Sequence, residues 1–183
     1  INPIVAVIPA RGGSKGLPRK NILPFAGHPL IAHSIMLAQM CPEVDRLIVS
    51  TDSDEIAVVA KKYGADVITR PIELAQDTTP MLPVLQHALL EAEKLDKKRY
   101  ESILLLDPTS PSRLPDDVRL CAGCLADTPD ADGIISVSQP EFNPFWHCVI
   151  QKDGWMEDLI QGADKFDRRQ DLPTVYRING LLY

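Results

Sequence analysis

Ile4-Val5-Ala6-Val7-Ile8-Pro9-Ala10-Arg11-Gly12-Gly13-Ser14-Lys15-Gly16 passes, across a single proline, from a purely apolar run to a basic segment bearing three glycines. Five apolar residues in a row, four of them β-branched, have the length and shape of a strand buried on both faces, and Pro9 closes it. The connection leaving such a strand decides its role. Connections in compact α/β domains are mostly about 2 to 6 residues long, and much longer ones tend to be functional. The next helical pattern begins only at Leu30, so this connection runs for about 20 residues, from Pro9 to Pro29.

The rest of the chain repeats the alternation. Apolar strand runs recur at Leu47-Ile48-Val49, Val67-Ile68, Ile103 to Leu106 and Ile134-Ile135-Ser136-Val137. Helical patterns separate them at Leu30 to Met40, Asp54 to Tyr63, Met81 to Leu95 and Asp116 to Ala126. Strand alternating with helix at this spacing predicts a Rossmann-like α/β domain, with a mostly parallel sheet covered by helices on both faces. Asp52 followed by Glu55 reads as a capping box for the second helix, and Gly64 suits its carboxyl end. After Val137 the rhythm changes. Trp146 to Gln151, the turn pair Asp153-Gly154 and Trp155-Met156 read as a hairpin or arm.

Ligands in an open parallel sheet bind beyond the carboxyl ends of the strands. The five segments that come after the predicted strands should therefore share one rim: the glycine-bearing segment, Ser50-Thr51-Asp52, Thr69-Arg70-Pro71, Asp107 to Arg113 and Ser138-Gln139-Pro140. Charge singles out the first of these. Residues 1–42 carry four cations (Arg11, Lys15, Arg19, Lys20) and no acid, whereas the remaining 141 residues set fifteen cations against twenty-five acids. One basic spot on a chain of net charge −6 suits a small anion and argues against general nucleic-acid binding. Glycines there allow tight turns and close approach of backbone N–H groups, Ser14 adds a hydroxyl, and Arg11, Lys15 and Lys20 add charge, a composition suited to a polyphosphate. It is not a Walker A loop, because Lys15 precedes Gly16 and no Ser or Thr follows a Gly-Lys pair, and no G-x-G-x-x-G fingerprint is present.

Other features bound the class. Hydrophobic residues make up 45% and charged residues 24%, a globular balance that 183 residues fit into a single domain. No run approaches the roughly 20 apolar residues of a membrane span. Four scattered cysteines (Cys41, Cys121, Cys124, Cys148) point to reduced thiols and a cytoplasmic location. Cys121 and Cys124 have metal or redox spacing, but they fall within a helical pattern and read as packing. His28, His33, His87 and His147 read as surface or packing residues.

The stretch Ile8-Pro9-Ala10-Arg11-Gly12-Gly13-Ser14-Lys15-Gly16-Leu17-Pro18-Arg19-Lys20-Asn21 resembles the signature of the CMP-sialic acid synthetases, the acylneuraminate cytidylyltransferases. The likeness continues, in order, through Ile48 to Ser53, Arg70-Pro71 with Glu73-Leu74-Ala75 and Asp77-Thr78, Pro108-Thr109-Ser110-Pro111, and Arg169-Gln170 with Leu172-Pro173 and Asn179-Gly180. The resemblance implies a fold of the nucleotide-diphospho-sugar transferase type. It also implies transfer of CMP from CTP to the anomeric hydroxyl of a sialic-acid-like 2-keto sugar acid, with release of pyrophosphate. Arg11, Lys15, Lys20 and Asp107 would be catalytic. Ala10, Arg11, Gly12, Gly13, Ser14, Lys15, Lys20, Asn21 and Arg70 would hold the nucleotide, with Arg70 against the cytosine. Asp107, Thr109, Ser110, Arg169, Arg177, Asn179 and Tyr183 would meet the sugar, with Arg169 on its carboxylate, where a guanidinium fork matches two oxygens.

Asp107 departs from the glutamine usual in the family. An aspartate at a strand end can bind Mg²⁺, orient the attacking hydroxyl or simply cap the strand. Mg²⁺ is the expected cofactor, because a bound triphosphate carries more charge than a few cations balance. The resemblance further implies homodimers formed through an arm at residues 140–179, and a helical family segment beyond Tyr183 carrying two Mg²⁺-binding aspartates. The alternatives are another nonulosonic or Kdo-like sugar, a uridylyl- or guanylyltransferase acting on a sugar 1-phosphate, and a nucleotide-binding module without catalysis.

Overall fold

Strand β1 (Ile4–Pro9) forms where the apolar run predicts it, with residues 4–8 almost wholly buried. The computed structural model describes residues 3–14 and 16–183. After β1 the long connection contains a 3-10 turn at Lys20–Ile22 and a minimal hairpin of β2 (Pro24–Phe25) and β3 (His28–Pro29). Helix α1 (Leu30–Gln39), β4 (Val44–Thr51), α2 (Asp54–Lys62), β5 (Asp66–Thr69), α3 (Met81–Asp96), β6 (Ser102–Leu105) and α4 (Pro115–Ala126) come next. Each lies within a few residues of its predicted span.

Strands β1, β4, β5 and β6 form one sheet in the order β5-β4-β1-β6, every neighbouring pair parallel. Alternation along β1 sorts its side chains between two cores. Ile4, Ala6 and Ile8 pack with Ile31 and Ile35 of α1, Ile56 and Ala60 of α2 and Val118 of α4. Val5 and Val7 pack on the opposite face with Ile48, Ile68 and the small residues Ala88 and Ala92 of α3. Helices thus cover both faces, and burial of these β-branched side chains is worth roughly 1.5–3 kcal/mol each.

Ser53, one residue later than expected, caps α2: its Oγ accepts from the Ile56 N–H at 3.5 Å. Asp52 is thereby left to the loop that leaves β1. Gly64 does end this helical region, with φ +84, and a Cβ on it would stand 2.9 Å from Gln39 Nε2.

The predicted fifth strand, Ile134 to Val137, does not join the sheet. Only Val137–Ser138 (β7) is extended, and it pairs antiparallel with β10 (Arg177–Ile178). The edge of β6 is instead met by the backbone of Tyr183, whose carbonyl accepts from the Leu105 N–H at 3.0 Å. The rim therefore gathers four strand ends, and Ser138-Gln139-Pro140 is not among them.

Contacts divide the chain into two compact units, Ile1–Ile135 with Gly180–Tyr183, and Ser136–Asn179. The second unit contains the β7/β10 pair, the short helix α5 (Pro144–His147) and the predicted hairpin, β8 (Val149–Lys152) and β9 (Trp155–Asp158), joined at Asp153-Gly154. Its small core includes an edge-to-face pair of Phe145 and Phe166, with centroids 5.6 Å apart. The Trp146 indole N–H donates to the Phe166 carbonyl at 3.2 Å.

Candidate active site at the strand-end rim

Backbone pairing carries β1 one step past its end, where the Ala10 N–H donates to the Ser50 carbonyl at 2.9 Å. The chain then turns. Gly12 donates its N–H to Asp52 Oδ1 at 2.9 Å, and a Cβ at Gly12 would lie 3.1 Å from Ser53 Cβ. Glycine lets the loop be drawn against the start of α2, where a side chain would press on Ser53. A Cβ at Gly13 or Gly16 would meet nothing within 4 Å, so close packing does not explain those two. Ser14 turns back onto the Gly12 carbonyl at 3.0 Å, and Asn21, nearly buried, donates its side-chain N–H to the Arg11 carbonyl at 3.3 Å. Arg19 adopts φ 58 and pairs with Glu55 of α2 at 3.1 Å, which anchors the distal part of the loop.

These constraints shape a cleft of about 570 Å³, a size suited to a nucleotide-sized ligand. Arg11, Ser14, Lys20, Asn21, Arg70 and Asp107 all face it, together with Thr109. Three separate strand ends supply them, those of β1, β5 and β6. Lys15, read from the sequence as a phosphate-binding and catalytic residue, lies outside the described residues.

Arg70 is held rigidly. Its Nε donates to Ser50 Oγ at 3.2 Å and its Nη2 to the Ser50 carbonyl at 2.8 Å, so the end of β4 fixes the guanidinium in place. Burial pushes its pKa down, Asp52 opposes that shift and Arg11 adds to it. Asp107 caps its own loop: Oδ1 accepts from the Thr109 N–H at 2.9 Å and from the Thr109 hydroxyl at 2.7 Å. Among the described residues, Oδ2 has no hydrogen-bond partner. Arg113, nearly buried, braces the loop from below by donating to the Asp107 carbonyl at 2.7 Å, and burial lowers its pKa to about 10.

Two other expected site residues of the same unit, Ser110 and Tyr183, do not line this cleft. The Ser110 hydroxyl donates to the Gly180 carbonyl at 3.0 Å. Tyr183 lines an apolar groove on the β6 side of the sheet with Ile103, Val118 and Ile135. Arg169, Arg177 and Asn179 belong to the second unit. There Arg169 lines a pocket of about 480 Å³ with Phe142, Asn143, Trp146 and His147. Arg177 lies in β10, and Asn179 Oδ1 accepts from the Ser136 hydroxyl at 2.6 Å. Among the described residues no cluster of three or more His, Cys, Asp or Glu side chains could hold a metal. Two acids at this rim, Asp52 and Asp77, have no site role in the reading of the sequence, although the first falls on the predicted rim and the second in the family likeness. Asp52 follows a strand end on the rim, and Asp77 falls in the long connection between β5 and α3.

A parallel sheet whose carboxyl rim carries a basic, glycine-bearing loop and a fixed arginine defines a nucleotide-binding α/β protein. The cytidylyltransferase family profile matches residues 5–113, the part of the chain that builds this rim. The CMP-N,N'-diacetyllegionaminic acid synthase of Legionella pneumophila is 37% identical across 98% of the chain and 76% of its own length. The N-acylneuraminate cytidylyltransferase of Streptococcus agalactiae serotype V is 34% identical across 98% of the chain and 42% of its own length. A solved CMP:2-keto-3-deoxy-manno-octonic acid synthetase complexed with CTP superposes with a TM-score of 0.57 at 27% identity, over 75% of this chain and 51% of that one. The chain belongs to the cytidylyltransferase family.

Proposed function

We propose that the protein transfers CMP from CTP to the anomeric hydroxyl of a nonulosonic acid, releasing pyrophosphate. The observation that carries this reading is the convergence of Arg11, Lys20, Asn21, Arg70 and Asp107 on one cleft. The hydroxyl oxygen forms a bond to the α-phosphorus as the bond from that phosphorus to the bridging oxygen breaks, and pyrophosphate departs with the electron pair. Arg11 and Lys20 offset the charge that builds on the leaving group, and the loop N–H groups add fixed dipoles. Arg70, locked on Ser50, is the flat surface assigned to the base. Asp107 Oδ2 orients the attacking hydroxyl, whose proton passes to solvent, while Oδ1 remains tied to Thr109. Most of the catalysis is positioning, as expected for phosphoryl transfer.

The donor set fits Mg²⁺, which is commonly held by one or two carboxylates with substrate phosphates and water completing its shell. Asp107 is the residue assigned to it, and the ion when bound would draw charge from the phosphates. Arg169, Arg177 and Asn179 are assigned to the sugar, with Arg169 on its carboxylate, whereas Tyr183 faces the apolar groove and is left out of this assignment. The legionaminic acid synthase relative favours a sugar of that type over a Kdo-like one. A homodimer formed through the Ser136–Asn179 unit and a cytoplasmic location belong to the same reading.

The test is to incubate the full-length protein and Mg²⁺ with each of the four nucleoside triphosphates against a panel of nonulosonic acids, recording pyrophosphate. Release with CTP and one such acid is expected. A preference for UTP or GTP with a sugar 1-phosphate would overturn the reading, and CTP binding without any release would make the protein a nucleotide-binding module.

A further inference from the structure

An acid stands where the proposed function calls for positive charge. The guanidinium of Arg11 is ion-paired with the carboxylate of Asp77, and both side chains are about one-third exposed, at 32% and 34%. Asp77 does not reach the cleft on a swinging loop. The segment that bears it is folded back on itself: the Leu74 N–H donates to the Pro71 carbonyl at 2.9 Å, the Gln76 side chain to the Ile72 carbonyl at 2.7 Å, and the Thr79 hydroxyl to the Glu73 carbonyl at 3.2 Å. Asp77 also shares with Arg11, Gly13 and Ser14 a shallow recess that opens beside the main cleft. The carboxylate is thus held opposite the glycine-bearing loop, against the cation assigned to the phosphate tail.

A carboxylate and a phosphate present the same thing to a guanidinium, two anionic oxygens in a fork that its parallel N–H groups can meet. Both cannot occupy the same donors at once. An anion entering the cleft must therefore exchange with Asp77, and the displaced carboxylate remains close to the anion that replaced it.

We propose that Asp77 is a placeholder for the phosphate tail, keeping Arg11 aimed into the empty cleft, yielding it to CTP and reclaiming it as pyrophosphate leaves. The proposal rests on the reading of this cleft as the triphosphate site. It makes Asp77 a positioning and affinity-setting residue: the carboxylate weakens binding and speeds product departure, and it prevents Arg11 from wandering in the free protein.

Isothermal titration of the full-length protein with inorganic pyrophosphate and with CTP, both in the presence of Mg²⁺, tests this. Asp77→Asn, with Asp77→Ser as a second variant, is expected to tighten both ligands about three- to tenfold, the range open to a partly exposed ion pair together with the loss of one repelling charge. In an Arg11→Gln background the same change should gain clearly less, because there is no guanidinium to release. An equal gain in both backgrounds would reduce Asp77 to a simple repelling charge and overturn the proposal, as would unchanged or weaker binding in the single variants. Wild-type protein that binds neither ligand would sink the triphosphate cleft itself. Tight wild-type binding with unmoved Asp77 variants would sink only the placeholder.

Discussion

Arg113 directs a buried positive charge at neutral acceptors. Its guanidinium donates to the Leu181 carbonyl, to the Ser34 hydroxyl at 3.1 Å and to the Asp107 carbonyl at 2.7 Å. One side chain thereby ties α1, the loop after β6 and residues 180–183 into a single support beneath Asp107. Replacing it by methionine keeps the bulk and leaves buried acceptors without a donor, which costs roughly 1–3 kcal/mol for each unsatisfied group. Arg113→Met should therefore lower unfolding stability by about 3 kcal/mol in urea titrations, and Arg113→Lys should recover part of it. A loss below about 0.5 kcal/mol, the level of an ordinary surface substitution, would contradict this role. Residues of this kind were invisible to pattern reading, since an arginine two positions past a Ser-Pro pair has no signature of burial. The glycines show the same limit. Composition presents Gly12, Gly13 and Gly16 as equivalent, and only the approach of Ser53 shows that a side chain at the first would have to push a neighbour aside.

At the scale of elements, the strands and helices around β1 follow the sequence closely because their signals are local. A run of buried β-branched residues and a 3.6-residue apolar rhythm do not depend on what lies far away. The run from Ile134 to Val137 shows where that fails. A short apolar stretch says little about its partner, and the partner here is Arg177–Ile178, about forty residues further on. The Asp153-Gly154 hairpin was legible because its turn chemistry is local as well. Once formed it leaves Val149, Trp155 and Met156 at 57%, 77% and 69% exposure, more apolar surface than a stable monomer usually presents to water. If these side chains form the proposed homodimer contact, sedimentation should give a dimer, and Trp155→Lys should shift it toward monomer at micromolar concentration. A wild-type protein that sediments only as monomer would remove the dimer from the account.

Across the whole molecule, the sequence located the site by charge and order but not by geometry. The isolation of four cations in an otherwise acidic chain and the placement of loops on one rim required only counting and the rule for parallel sheets. The convergence of residues 11, 20, 70 and 107 is a product of crossovers that no local pattern encodes. The same is true of Asp52, which takes the Gly12 N–H, and Asp77, which holds Arg11. Arg169, Arg177 and Asn179 belong to the Ser136–Asn179 unit, and the nucleotide cleft bears the central claim. Titration of CTP with Mg²⁺ into the full-length protein and its Lys20→Ala variant tests that claim most directly. Saturable binding to the wild type is predicted, with at least about a tenfold loss in the variant, near 1.4 kcal/mol, and an unchanged circular dichroism spectrum. Equal affinity in the two proteins, or no binding in either, would contradict it.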